Sequence, residues 1–116
     1  LTDAGSSTPH IEAMLAGVDA LVLESNHDAA MLEAGPYPLA LKRRVGGPYG
    51  HLENEQAARL LGKLHHAGLQ CVMAAHISRR NNTEALARQA LASALGCDDD
   101  EVRTACQDAG FDWIRL

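Results

Sequence analysis

Two short apolar runs, each ended by a polar residue, set the limits on what this chain can fold into. The first is Ala20 to Leu23, inside "DALVLES" (Asp19 to Ser25). The second runs from Leu69 to Ala75 and ends at His76. Runs this short, without polar alternation, suit strands buried on both faces, as in parallel sheets covered by their crossover helices. The opening "LTDAG" reads as the end of another strand, with Asp3 just past it. Helix signals fill the intervals. Thr8-Pro9 pairs an N-cap with Pro at the first helical position, and Gly17 stops that helix. Asn26 stands where it could cap a segment ending at Gly35. "PYPLALKRRVGGPYG" is a Pro/Gly-bounded insert with a short helix over Leu39 to Val45. The clearest helix is Glu53 to His66, because Ala57, Leu60, Leu61 and Leu64 recur at helical spacing. Thr83 caps a last helix running to about Leu95, with Glu84 in its first turn. "GCDDDE" reads as a solvated turn. Val102 to Cys106 and Phe111 to Leu116 read as a closing hairpin across "QDAG". Strands alternating with helices make the fold class α/β.

At 116 residues the chain is one domain at most. Its apolar fraction of 47% and charged fraction of 22% are those of a globular protein. Aromatics make up only 3%, so the core must come from Leu, Ala and Val. A net charge of −5 gives no overall attraction to nucleic acid. Two local basic clusters remain for phosphate, "LKRRVGG" and Arg79-Arg80. The three cysteines, Cys71, Cys97 and Cys106, lack metal-type spacing, and their odd number fits a reducing cytoplasm. No run approaches the ~18 apolar residues of a membrane span, so no membrane association is expected. Leu1 is not an initiator Met, and the chain opens at what reads as a strand end. A piece of a longer polypeptide is therefore expected, with a trimmed chain as the alternative.

In open α/β layers, ligands gather at the carboxyl ends of strands. Asp3 sits at such an end, before the small residues Ala4-Gly5-Ser6-Ser7. A carboxylate there can bridge two cations; a turn aspartate is the plain alternative. His76 ends the second apolar run, with Ser78, Arg79 and Arg80 next. A neutral imidazole is a common Zn²⁺ ligand; a hydrogen-bonded histidine is the alternative. His51 precedes the clearest helix and could meet a phosphate near its positive end, or pack on Tyr49. His27 is a candidate proton donor or supporting group, or else a helix-start residue. His65 and His66 fall in the last turn of a helix, a structural place, and His10 is a surface position.

Four of these features occur in a recognisable order, and together they resemble the second half of the metallo-β-lactamase-fold hydrolases. The closest likeness is to the branch with ribonuclease Z, phosphodiesterases and an exonuclease-like subgroup. "LTDAG" resembles the segment whose Asp bridges two metals, which implies that role for Asp3. "AAHISRRNN" resembles the late motif whose His binds one metal. That implies His76 as ligand, with Ser78 and Arg80 echoing the pattern His-apolar-Ser-x-Arg. "GHLENEQAA" resembles a Gly-His-Ser-Thr-x-x-Gln-Ala-Ala loop, with His51 in the histidine position and Leu52-Glu53 replacing Ser-Thr. "LVLESNHD" stands where the nuclease branch has His-Glu-Ala-Thr. Glu24 then aligns with the family Glu, and His27 falls three residues later. The likeness covers roughly Leu1 to Ala90. The ligand cluster His-x-His-x-Asp-His and a further ligand His have no counterpart in this chain.

The resemblance implies that residues 1–116 form the C-terminal half of an αββα sandwich, one mixed sheet with outer helices. The inner sheet face, for example Val22 and Val72, would then be bare apolar surface. It implies a metal-dependent hydrolase, a phosphodiesterase or nuclease, using water activated by two divalent ions, Zn²⁺ or Mn²⁺. Asp3 and His76 would hold metal, His51 and His27 would serve catalysis, and Ser78 and Arg80 would contact a phosphodiester substrate such as nucleic acid. The partner would be the missing N-terminal half or a second copy, and the chain alone would be inactive. A thioester or lactam hydrolase and a non-catalytic scaffold domain are the rival readings. Their shared position at strand carboxyl ends predicts that Asp3 and His76 approach one another at one edge of the sheet, with His51 nearby.

Overall fold

The computed structural model describes residues 1–105, 110 and 112–116. Its centre is a small parallel sheet of β1 (Ala20–Glu24), β2 (Cys71–Ala75) and β3 (Arg103–Thr104), in that spatial order. Leu21 pairs with Val72 and Glu24 with Ala75, while Met73 pairs with Arg103. Leu1 extends the sheet beyond β1. Its amino group donates to the Val22 carbonyl (2.6 Å) and its carbonyl accepts from the Glu24 N–H (2.9 Å), the pattern of a parallel ladder. The expected strand end at "LTDAG" is therefore one residue of pairing, and Asp3 lies two residues past it.

Helices occupy the expected intervals: α1 (Pro9–Leu15), α2 (Ala29–Ala34), α3 (Leu39–Val45), α4 (Asn54–Leu64) and α5 (Glu84–Leu95). The Thr8 and Thr83 hydroxyls accept from Ile11 N and Leu86 N as N-caps. Helix α4 opens with a reciprocal capping box between Glu53 and Gln56, and α5 ends on left-handed Gly96. The cap of α2 differs from expectation. Asp28 takes that place, its side chain accepting from Met31 N, because the Asn26 amide is engaged with the His76 carbonyl.

Leu21, Leu23, Val72 and Ala74 form one face of the sheet and join Leu60, Leu61, Leu64 and Leu91 of α4 and α5 in the core. Fully burying one such leucine contributes about 1.5–3 kcal/mol. The opposite face carries Val22, which is 40% exposed, and Met73, which is covered. Val72 was expected on the bare face but pairs with Leu21 under the helices, since side chains alternate along a strand. An open apolar groove of about 460 Å³ runs over this second face, between Ala20, Val22 and Met73 and the C-terminal residues Trp113, Ile114 and Leu116.

The chain end departs from the expected hairpin. β3 pairs in parallel with β2, and residues 112–116 form no strand. Cys106 and Phe111, the other members of that hairpin, lie outside the described residues. The described strand pairs are thus all parallel rather than mixed. The expected solvated turn at "DDDE" is a single exposed 3-10 turn, Asp99–Glu101. Among the described residues, no helix is long and apolar enough to cross a membrane.

Candidate metal centre

Adjacent parallel strands deliver their ends to one sheet edge. Glu24 closes β1, His76 follows β2 directly, and Asp3 follows the Leu1 pairing on the other side of β1. His51 comes from the loop ahead of α4. That loop is tied down by three main-chain bonds: His51 N to Val45 O, Asn26 N to Leu52 O, and Asn54 N to His27 O. Gly50, just before it, packs so tightly on the carbonyls of Arg44 and Val45 that a Cβ there would overlap them.

The result is a group of two carboxylates and two imidazoles, Asp3, Glu24, His51 and His76, with one ligand atom from each within 4.8 Å of the others. Glu24 is at its centre and is wholly buried. Its Oε1 accepts from His51 Nδ1 at 2.8 Å and from His76 Nδ1 at 2.6 Å, and its Oε2 accepts from Leu52 N at 3.3 Å. Asp3 Oδ1 lies 3.6 Å from His51 Nδ1 and 3.8 Å from His76 Nδ1. The two rings meet edge to face, with centroids 5.0 Å apart.

Asp3 and His76 share a further property. They are the described non-glycine residues with positive φ, 57° and 55°. A left-handed residue with a Cβ costs roughly 1–3 kcal/mol and persists only where the surroundings enforce it. In both cases the unusual backbone belongs to a residue that brings its side chain to Glu24 or its histidine partners.

The donor set suits a divalent ion. Imidazole nitrogen and carboxylate oxygen together are the ligands of Zn²⁺ and Mn²⁺ sites. Among the described residues, the ion pairs of Asp3 and Glu24 are to these two histidines. Two carboxylates therefore face rings that carry charge only when protonated, and a cation would balance the excess.

The other sequence candidates fall around this group. Ser78 and Arg80 line an open cleft of about 330 Å³ together with Tyr37, His51, His76 and Arg79. The Ser78 hydroxyl accepts from Asn81 N. His27 is not one of the four. It is buried, 2% exposed, and its Nδ1 meets Asn26 Oδ1 at 3.2 Å. Burial pushes its pKa below the ordinary 6.5, and the nearby His51 adds to this, while Glu24 and Asp28 oppose it. Well above pH 6.5 the ring is neutral folded and unfolded, so its titration has no effect on stability. Below that the unfolded chain takes up a proton that the native chain refuses, and stability falls until the native ring protonates. His27→Asn should therefore show a shallower loss of urea resistance between about pH 7 and about pH 5 than the parent. Equal slopes would mean that His27 titrates normally.

Sequence reasoning aligned Glu24 with a family position but gave it no part in the site. The available signal was an acidic residue closing an otherwise apolar, buried strand. It also passed over a buried asparagine pair. Asn54 and Asn82 exchange side-chain amide bonds at 2.9 Å, and Asn82 Nδ2 donates to Ser25 O. That pair ties the start of α4 and the loop after β2 to the loop after β1. Polar residues scattered over two loops and a helix start give no sequence pattern for such a contact.

Known proteins share this stretch of sequence. The chain is 36% identical over 95 residues to the exodeoxyribonuclease YycJ of Bacillus anthracis, covering 82% of this chain and 36% of that protein. It is 29% identical over 99 residues to the exodeoxyribonuclease WalJ of Streptococcus pneumoniae serotype 2 (strain D39 / NCTC 7466), covering 85% of this chain and 37% of that protein. The chain thus spans little more than a third of the length of these curated relatives. No family model matches it, and no solved structure does.

Proposed function

We propose that this chain is one half of a metal-dependent phosphodiesterase domain, with DNA as substrate and Zn²⁺ or Mn²⁺ as cofactor. The observation that carries the reading is the convergence of Asp3, Glu24, His51 and His76 at one sheet edge. The names of the relatives support the nuclease branch over thioester or lactam hydrolysis. Asp3 and His76 would hold metal, two ions in the complete enzyme. When bound, such ions lower the pKa of a water and polarise the phosphoryl oxygen it meets.

The chain's own residues then have separable tasks. With its Nδ1–H donated to Glu24, His51 keeps Nε2 to give a proton to, or take one from, a leaving oxygen. Glu24 fixes that tautomer. Arg80 and Ser78, on the wall of the cleft, would contact the phosphate. The missing half of the domain, or a second copy, would cover the open sheet face. The described cysteines Cys71 and Cys97 are free thiols, which fits a reducing cytoplasm.

The test is binding with Zn²⁺ present, read from the ring resonances of His51 and His76. A thymidine dinucleotide should shift them and a β-lactam should not, and Arg80→Ala should weaken the dinucleotide about tenfold. Shifts from the lactam alone would overturn the phosphodiester reading. Hydrolysis of bis(p-nitrophenyl) phosphate should stay at the metal blank. In this chain alone all four side chains are available to a single ion, since a catalytic Zn²⁺ takes about three protein ligands, whereas a pair with Asp3 and His76 as its share of ligands needs donors from the other half of the domain. Turnover abolished by both Asp3→Ala and His76→Ala would contradict the half-site assignment.

A further inference from the structure

We propose that His27 is a positioning residue that acts through Asn26 to hold the main chain at His76 in its left-handed conformation. The inference rests on the metal-site reading for its purpose but on independent contacts for its geometry. Asn26 brackets the turn after β2. Its carbonyl accepts from Ser78 N at 2.7 Å, and its side-chain Nδ2 donates to the His76 carbonyl at 2.9 Å. Its main-chain N–H donates to Leu52 O, beside His51. One residue therefore grips the His76 turn at two points and the His51 loop at a third.

The direction of the Asn26 amide decides whether that grip exists. The His76 carbonyl can only accept, so the amide must present Nδ2 to it. Turned over, the amide would set one oxygen against another. Oδ1 then faces His27 Nδ1, 3.2 Å away, and this contact is a hydrogen bond only when Nδ1 carries the proton. His27 in its Nδ1–H form thus selects the amide orientation that clamps His76. The ring is buried and its neighbours enclose it, so no water stands in as donor without disturbing the packing. At φ 55° His76 gains nothing from its own backbone, and the clamp supplies the constraint. His76 in turn meets Glu24 and approaches Asp3. In sequence His27 is a candidate proton donor or supporting group. Its burial and its contact give it the second task.

The experiment has two readouts on the whole chain, histidine and backbone NMR, and Zn²⁺ affinity by calorimetry. In the unmodified chain His27 should resonate as the Nδ1–H tautomer, and the Cα and carbonyl shifts of His76 should report a left-handed residue. His27→Leu keeps the bulk and removes the donor. It should lose the left-handed shifts at His76 and weaken Zn²⁺ binding about tenfold or more. His27→Asn carries an amide nitrogen in place of Nδ1 and should restore both. Asn26→Asp sets a second oxygen against the His76 carbonyl and should repeat the loss, which covers the case of an unfolded His27→Leu. A purely structural His27 would lower the unfolding midpoint of His27→Leu while His76 kept its shifts, and that result overturns the proposal. So does an Nε2–H tautomer at His27. If the unmodified chain binds no Zn²⁺, the metal reading falls alone, and the His76 shifts still decide the positioning role.

Discussion

Replacing Glu24 with Ala should lower the stability of the chain by about 2–3 kcal/mol and disorder both histidines at the sheet edge. The estimate follows from what the carboxylate satisfies. Leu52 N, inside the core, loses its acceptor, and a buried unpaired N–H costs about 1–3 kcal/mol. The rings of His51 and His76 are 29% and 38% exposed, so water can replace the carboxylate there, and their share is smaller. A carboxylate with no solvent exposure is tolerated only when paired, so the parent must spend much of the attraction on desolvation. Glu24→Gln separates the two effects. It keeps an acceptor oxygen of the same reach and should fold within about 1 kcal/mol of the parent, yet lose metal affinity with the charge. Denaturant unfolding of the three proteins gives the comparison. An alanine variant as stable as the parent would mean that Glu24 does not anchor the group.

Self-association is the second large effect expected. One face of the sheet is buried under α4 and α5, but Val22 on the other is 40% exposed, and the groove beside it is apolar. Trp113 is fully exposed and Leu116 is 58% exposed at its edge. Covering several hundred Å² of such surface contributes on the order of 10 kcal/mol gross at ~25 cal/mol per Å². Ordering and association cancel much of that, and the remainder favours a dimer or larger species. The face is less bare than the sequence suggested, because Met73 is covered at 2% exposure. At micromolar concentration the chain should sediment above the monomer mass, and Val22→Lys should shift it back. A folded, monodisperse parent monomer would mean that this chain closes its own core.

What was legible in the sequence follows from how local each cause is. Helices α1, α3, α4 and α5 were readable because caps, Pro and helical spacing lie within a few residues of each other. Strands β1 and β2 were readable because a short unbroken apolar run has few other homes in an α/β layer. The strand-end rule also predicted that Asp3 and His76 would meet at one sheet edge with His51 nearby, and the two residues flank β1 from either side, with Asp3 Oδ1 3.8 Å from His76 Nδ1 and 3.6 Å from His51 Nδ1. Non-local causes were missed. Asn26 reads as a cap in one dimension, but its amide is drawn to a carbonyl 50 residues away. Val72 was assigned to the wrong face because a continuous apolar run carries no alternation to say which side is which. Glu24 became the centre of the site only once β2 and the His51 loop were folded against it. The parallel pairing of β3 depends on a chain path that the local turn signals do not encode.

Whether Asp3, Glu24, His51 and His76 together bind a divalent ion is decided by a Zn²⁺ titration in a calorimeter. The parent, Asp3→Ala and His76→Ala are titrated under the same conditions, with circular dichroism confirming that each is folded. The parent should take up one ion per chain, and each variant should lose at least the roughly tenfold in affinity that follows the loss of a residue supporting a ligand. No binding by the folded parent, or equal affinity in all three proteins, would contradict the metal-site reading.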